Sequence, residues 1–367
     1  MMIQNASNTA YVWHPASAGF CSGKSIIGEP KHKSTRRIFT MKHRVLGKTG
    51  YQVSEISLGT WQVGGGWGKP FNGPEADRII NTAIEQGVNF LDTADGYSEG
   101  LSEKSVGQAL ARHQHIRAAT KCGRRLNPHT TEGYNRDNIT RFVDASLLNM
   151  KQDCLDLIQL HCPPTDVYYR PEVFDVLDDL KKQGKIRHYG VSVERVEEGL
   201  KAIEYEGVAS VQIIFNMFRM RPAELFFKQA LEKNVGVIVR VPLASGLLSG
   251  KMKKDSRFEP EDHRHFNRDG QAFDKGETFS GVDYLTGLEA VDQLKEVFPD
   301  DYSLAQYALR WILMFDAVSC VIPGASRVDQ VLSNTAASEI PPLTDEQMNQ
   351  IKQIYDQMIR PLVHQRW

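Results

Sequence analysis

The sequence predicts an α/β fold, a (β/α)8 TIM barrel, and three observations predict it. From Met41 onward, short β-branched or apolar runs alternate with longer amphipathic stretches, the pattern of successive βαβ units feeding a parallel sheet. There are eight runs and eight stretches, the number that closes a barrel. Gly87 and Gly184 stand just past helix ends, and Pro74, Pro171 and Pro222 stand at first helical positions. Glycine there accepts a left-handed conformation, and proline loses no hydrogen bond.

In chain order, residues 53–58 form the first strand and 74–86 the first helix. Strand 89–92 is followed by helix 102–112, strand 118–121 by helix 136–150, and strand 155–161 by helix 171–183. Strand 186–192 leads to helix 194–205, and strand 208–215 to helix 222–234. Strand 236–240 precedes helix 303–315, and strand 319–322 precedes helix 327–337. The count alone leaves an open doubly wound sheet as the alternative, with its ligand at a switch in strand order instead of at a barrel mouth. Only the seventh connection is long. Its segment 250–282 is rich in charge, Gly, Phe and His and has no period; loops of that length act as lids or binding loops, or are disordered.

The barrel is expected to fill one domain, 41–367. Residues 1–40 scatter Ser, Ala, Gly and His with Glu29 as the only acid, and are expected to be a disordered extension. They lack the apolar core of a secretory signal, the first thirty are poor in arginine, which argues against a transit peptide, and Met41 suits a second start. A formal net charge of −1 gives no long-range pull toward nucleic acid or an anionic membrane. The most apolar stretch, 307–325, is broken by Arg310 and Asp316, so no membrane span is expected. Five cysteines without a CxxC pair argue against disulfides or a zinc ribbon and for a reducing cytoplasm.

In a barrel the carboxyl ends of the strands share one face, which holds the active site. Here the second strand ends in Asp92 with Tyr97 five residues on, the third in Lys121 and the fourth in His161. Singly, each has an ordinary reading: a turn residue for Asp92, a loop-edge ring for Tyr97, a packed ring for His161. Together they suit hydride addition to a carbonyl, whose oxygen gains charge and needs a proton and a donor. Tyr97 supplies the proton, Lys121 lowers the phenol pKa, Asp92 holds Lys121 charged, and His161 donates to the same oxygen.

These residues lie in segments that resemble the aldo-keto reductase superfamily from Met41 to about residue 360. GKTGYQVSEISLGTW, FLDTADGY, the lysine in ATKCG, DLIQLHCP, GKIRHYGVS, VQIIFN and VIPGAS recur in the family's order. The resemblance implies a catalytic tetrad of Asp92, Tyr97, Lys121 and His161, and NADPH as hydride donor to a small aldehyde or ketone. The same site run backwards would make an NAD(P)+-dependent sugar or alcohol dehydrogenase. The resemblance to barrel-shaped potassium-channel beta subunits leaves a cofactor-binding regulatory subunit as a third reading.

The glycine cluster at 64–68 fails G-x-G-x-x-G spacing because Lys69 takes the last position. Barrels bind phosphate after strands seven and eight, at a helix start. That places Pro242, Leu243, Ser245, Gly246 and Leu248 on one side and Gly324, Ser326 and Arg327 on the other. Ser326 and Arg327 suit a 2′-phosphate, favouring NADPH over NADH. The resemblance adds Gln330 and Asn334 at the adenine end and Ser192 and Gln212 at the nicotinamide carboxamide. Gly59, Thr60 and Trp61 complete the cofactor set. Val193 departs from the family's usual Asn, and Arg240 from its stacking aromatic; the guanidinium either stacks in turn or binds an acidic substrate or a phosphate. Trp61, Trp67 and Phe218 are expected to line the substrate pocket. The pairs His113/His115 and His263/His265 lack further ligands at metal spacing, so no metal is expected. Cys122 and Cys162 flank tetrad positions and read as reactive or as buried, inert thiols.

Overall fold

The computed structural model describes residues 41–65 and 70–367; the expectations for residues 1–40 and for Trp67 fall outside them. The chain enters through an antiparallel hairpin, β1 (His43–Val45) and β2 (Gln52–Ser54). Eight parallel strands follow: β3 (Leu58–Gly59), β4 (Phe90–Asp92), β5 (Arg117–Cys122), β6 (Leu155–His161), β7 (Ile186–Ser192), β8 (Val208–Ile214), β9 (Gly236–Arg240) and β10 (Val318–Val321). Each pairs with its neighbours in sequence order. The ring is closed by parallel bridges from Ile56 to Val321 and from Gly59 to Gly324. A Cβ on Gly59 would lie 2.8 Å from the Ile322 carbonyl oxygen, so closure needs glycine at this point. The closed ring excludes the open-sheet alternative.

The expected first strand, 53–58, is divided. Ser57 Oγ donates to Ser54 O at 2.8 Å and contacts Ser54 Oγ at 3.1 Å, a local side-chain bond that turns the chain. Val53 thereby joins Leu46 beneath the barrel, packed with Phe90, Ala119, Leu157, Ile238, Cys320 and Ile322. Alternation along each strand directs those residues inward, and the hairpin seals the floor.

The helices expected between strands are α1 (Gly73–Glu85), α2 (Leu101–Arg112), α3 (Arg136–Met150), α4 (Pro171–Lys182), α5 (Val196–Ala202) and α6 (Phe226–Glu232). The long connection holds a short α7 (His263–Phe266) and an unexpected α8 (Tyr284–Glu296), before α9 (Leu304–Ile312). Past the barrel come α10 (Val328–Ala336), α11 (Asp345–Ile354) and α12 (Arg360–Val363), the last two also unexpected. Among the described residues no helix is long and apolar enough to cross a membrane.

Segment 250–282 is ordered against the barrel. Asn267, Thr278 and Ser280 are buried, and Ser280 Oγ meets Asn216 Nδ2 at 3.0 Å. The C-terminal Trp367 wedges beside it, its ring 4.3 Å from the Arg219 guanidinium. A Cβ on Gly281 would meet the Trp367 ring at 2.7 Å.

Candidate active site

Adjacent strands bring Asp92, Lys121 and His161 to one mouth, and Tyr97 opens the turn after β4. Lys121 Nζ lies 2.5 Å from Asp92 Oδ1, 2.8 Å from Thr93 O and 3.2 Å from Tyr97 Oη. The His161 ring stands edge-on to Tyr97, centroids 6.0 Å apart. All four expected side chains therefore converge. Two glutamines brace Asp92: Gln212, expected at the nicotinamide carboxamide, donates from Nε2 to its Oδ2 at 2.7 Å, and Gln159, absent from the sequence reading, does so at 3.3 Å. Gln159 shares its strand face with His161 two residues on, so a polar side chain inside a buried strand was the available signal.

Burial governs the protonation states. Tyr97 is raised above the ordinary phenol range by burial, with Lys121 pulling the other way and Asp92 adding to the rise. The expectation that Lys121 would bring the phenol closer to neutral is thus corrected, because desolvation of a phenolate outweighs one adjacent ammonium that is itself paired. Lys121 is raised: burial opposes its charge, but Asp92 and Tyr97 overcome that. His161 is held well below its ordinary value by burial and by Arg124 and Lys121, so its ring is neutral. Cys122 and Cys162 are pushed up by burial, Cys162 to about 12, which makes them inert thiols rather than reactive thiolates.

Beside His161 lies a partly buried charge cluster that the sequence did not reveal. Arg240 donates to Val193 O at 3.2 Å and to Glu194 Oε2 at 3.0 Å. Glu277, from the long loop, has its Oε1 3.0 Å from Arg124 and 3.4 Å from Arg240. Burial raises Glu194, whereas Arg124 and Arg240 overcome burial and hold Glu277 low. Cys162, Glu194 and Glu277 offer ligand atoms within 4.8 Å of one another. That space already holds a cation, since Arg240 Nη2 also lies 3.5 Å from Cys162 Sγ.

The expected cofactor residues flank this mouth, and several are engaged internally. Ser192 is buried with its Oγ 3.4 Å from Cys162 Sγ. Thr60 Oγ1 donates to Asp92 O at 3.0 Å, and Gly59 sits at the barrel closure. Ser245 Oγ donates to Glu277 O at 2.8 Å, placing the loop across the turn that carries Pro242, Leu243 and Gly246. Leu248 and Phe218 belong to the main apolar core, so their visible role is packing. Trp61 stands edge-on to His263 at 5.3 Å. At the start of α10, Ser326 N–H and Oγ both donate to Gln330 Oε1, at 2.7 and 3.1 Å. Arg327 forks onto Asp329 at 2.9 and 3.0 Å, and Asn334 Nδ2 reaches Gly324 O at 3.4 Å. An exposed guanidinium beside a serine N–H and hydroxyl is a donor set that fits a phosphate. At the other end, His161 Nδ1 and Arg240 Nε are buried without a hydrogen-bond partner, in keeping with a polar ligand at the mouth.

The family model described as "Aldo/keto reductase family" matches residues 55–356. The chain belongs to that family. Its barrel is accordingly that of an NAD(P)H-dependent oxidoreductase. It is 30% identical over 316 residues to an uncharacterized oxidoreductase, YqkF, of Bacillus subtilis, covering 85% of this chain and 96% of that one. A probable voltage-gated potassium channel subunit beta of Arabidopsis thaliana is 29% identical, covering 86% of this chain and 96% of its own. Among solved structures, aldo-keto reductase AKR11C1 from Bacillus halodurans, in its holo form, superposes with a TM-score of 0.69 at 31% identity, covering 86% of this chain and 96% of that one. Glycerol dehydrogenase AKR11B4 from Gluconobacter oxydans gives 0.70 at 28% identity, covering 87% and 96%.

Proposed function

We propose that this aldo/keto reductase uses NADPH to reduce a small aldehyde or ketone, with Tyr97 as general acid. The observation that carries the reading is the buried chain Asp92–Lys121–Tyr97, linked at 2.5 and 3.2 Å. When bound, the nicotinamide supplies the hydride. Tyr97 Oη gives its proton to the carbonyl oxygen as charge builds there, and the Lys121 ammonium stabilises the phenolate left behind. Asp92, fixed by Gln159 and Gln212, keeps Lys121 charged and pointed. The neutral His161 donates a hydrogen bond to the same oxygen and orients the substrate. Ser326 and Arg327 would hold a 2′-phosphate, Gln330 and Asn334 the adenine end, and the flat face of Arg240 the nicotinamide. Its in-plane N–H groups already bind Val193 O, Glu194 and Glu277, which supports stacking. Four free cysteines among the described residues fit a cytoplasmic setting.

The raised phenol pKa favours reduction over alcohol oxidation, because reduction needs the proton on Tyr97 and oxidation needs it gone. A regulatory-subunit reading rests on the likeness to the Arabidopsis protein, and an Asp92–Lys121–Tyr97 arrangement built for proton transfer argues against pure binding. NADPH consumption should be followed with a panel of carbonyls, alongside NADPH binding by fluorescence. Tyr97→Phe should lose about 10²- to 10⁴-fold in kcat while binding NADPH normally; an unchanged kcat would remove Tyr97 as the acid.

A further inference from the structure

We infer that the preferred carbonyl substrate carries a carboxylate, held by Arg124 and Arg240 where the Glu277 carboxylate lies in this structure. The inference rests on the reductase reading and names its substrate class.

Arg124 stands two residues past β5, and Arg240 ends β9. From these two places on the barrel wall, both guanidiniums converge on one oxygen, Glu277 Oε1, at 3.0 and 3.4 Å. Two guanidiniums aimed at one acceptor form a carboxylate-binding arrangement, in which charge-assisted bonds are strong and directional. The acceptor they hold is not part of the barrel. It comes from segment 250–282, a connection built of short turns that contributes no strand to the barrel. Ser245 ties the loop to the mouth, bonding the Glu277 carbonyl at 2.8 Å and the Phe279 N–H at 3.2 Å, and Ser280 Oγ adds a bond to Asn216 at 3.0 Å.

The anion position adjoins the chemistry. Arg124, Arg240 and Glu277 all act electrostatically on His161, whose ring faces Tyr97. A substrate with its carboxylate at the guanidiniums therefore has its remaining length directed along the tetrad. The barrel wall alone is also short of negative charge. Among the described residues Glu194 is the only other acid within ion-pair distance of these two arginines, which leaves one carboxylate for two guanidiniums. Once the loop lifts, the two guanidiniums share a single carboxylate, and a substrate carboxylate restores the second counter-charge. Glu277 then acts as an internal stand-in for substrate.

The cofactor pyrophosphate is the other anion that could reach this pair, and the test separates the two. The probes are 4-oxobutanoate and its methyl ester, which differ by one charge, with NADPH as reductant. The kcat/KM ratio of acid to ester should be about tenfold or more in the wild type, the scale of a hydrogen bond to a charged group. Arg124→Gln, at a partly exposed position, should remove most of that ratio, and Glu277→Gln, which removes the internal competitor, should raise it. Succinate binding to the NADP complex, read by calorimetry, should tighten several-fold in Glu277→Gln and weaken in Arg124→Gln. A ratio near one, or a ratio that Arg124→Gln leaves unchanged, overturns the inference. So does an Arg124→Gln variant that loses NADPH affinity alone, since the pair then serves the cofactor. If neither probe is reduced, the reductase reading fails; if succinate binding is also indifferent to both variants, the anion site fails with it.

Discussion

The acid in the middle of the DTADGY segment should make this protein lose stability as pH rises from about 4 toward neutrality. Asp95 is 3% exposed, and neither of its oxygens makes a hydrogen bond of full geometry. Burial first and Glu103 second raise its pKa from 3.8 to about 7, with Arg125, the Gly96 N–H and Lys121 offsetting only part. A folded pKa above the unfolded one means that the native state holds the proton more tightly. Stability from this group is therefore complete below about pH 4 and is lost as pH climbs to about 7. At about 1.4 kcal/mol per pKa unit, the full loss is about 4 kcal/mol, of which about 3 kcal/mol falls between pH 5 and pH 8. Urea denaturation of the wild type and of Asp95→Asn at those two pH values measures it. Other titrating groups, Glu194 among them, contribute equally to both proteins and cancel in the comparison. The wild type should lose about 3 kcal/mol more than the variant across the interval. Parallel losses would refute the reasoning, because Asp95 would then be ionised without penalty.

Other consequences concern the tetrad, the cofactor and the C-terminus. Lys121→Met should destabilise the fold by about 3–5 kcal/mol by leaving Asp92 buried without its ion-pair partner, and adding Asp92→Asn should recover part of that in the same urea assay. Arg327→Ala should weaken NADPH binding about tenfold or more and leave NADH binding unchanged, measured by fluorescence titration; Asp329→Asn should strengthen NADPH binding by freeing the fork. If any alcohol is oxidised, its rate should rise with pH, because the buried phenol must lose its proton first. Deleting Trp367 removes a desolvated cation–π contact worth about 2 kcal/mol and should speed proteolysis within 274–281 while α1 to α4 stay protected.

The barrel was legible because its signals are local. Strands such as Leu155–His161 and Ile186–Ser192 are short apolar runs between turn residues, and helix starts carry proline. The first strand was misplaced because its break depends on a bond between Ser54 and Ser57, which hydropathy does not register. Helices α8 and α11 carry start signals that are plain in hindsight: Asp283 caps the Thr286 N–H, and Thr344 with Gln347 forms a capping box. They escaped notice because α8 follows an aperiodic loop, and α11 buries only Ile351 fully, too narrow a face for a strong period. The tetrad was legible for a different reason: barrel topology brings successive strand ends together whatever lies between them. Glu277 had no such guarantee. It meets Arg124 across 153 residues from a loop without a period, and nothing in the local sequence encodes that meeting.

Strained backbone also gathers at the mouth of the barrel. Cys162, Val241, Ala244 and Ser245 have φ of 47°, 50°, 46° and 55°, the left-handed region, where non-glycine residues cost about 1–3 kcal/mol each. Val241 is the severest case, since a branched Cβ crowds the following carbonyl. Cys162 and Val241 directly follow His161 and Arg240, the two strand ends whose side chains turn inward at the mouth, and Ala244 and Ser245 lie in the turn after β9. The strain persists because rigid neighbours determine each position. Cys162 N–H donates to Ser192 O at 3.0 Å, and Val241 O accepts from Asn216 Nδ2 at 2.9 Å. A closed ring of strands can hold such outliers, because relaxing one means breaking ladder contacts on both sides. Segment 250–282 has no ladder, so its contribution to the site, Glu277, is held instead by a turn bond from its N–H to Asp274 O at 3.1 Å, by Ser245 and by the two arginines.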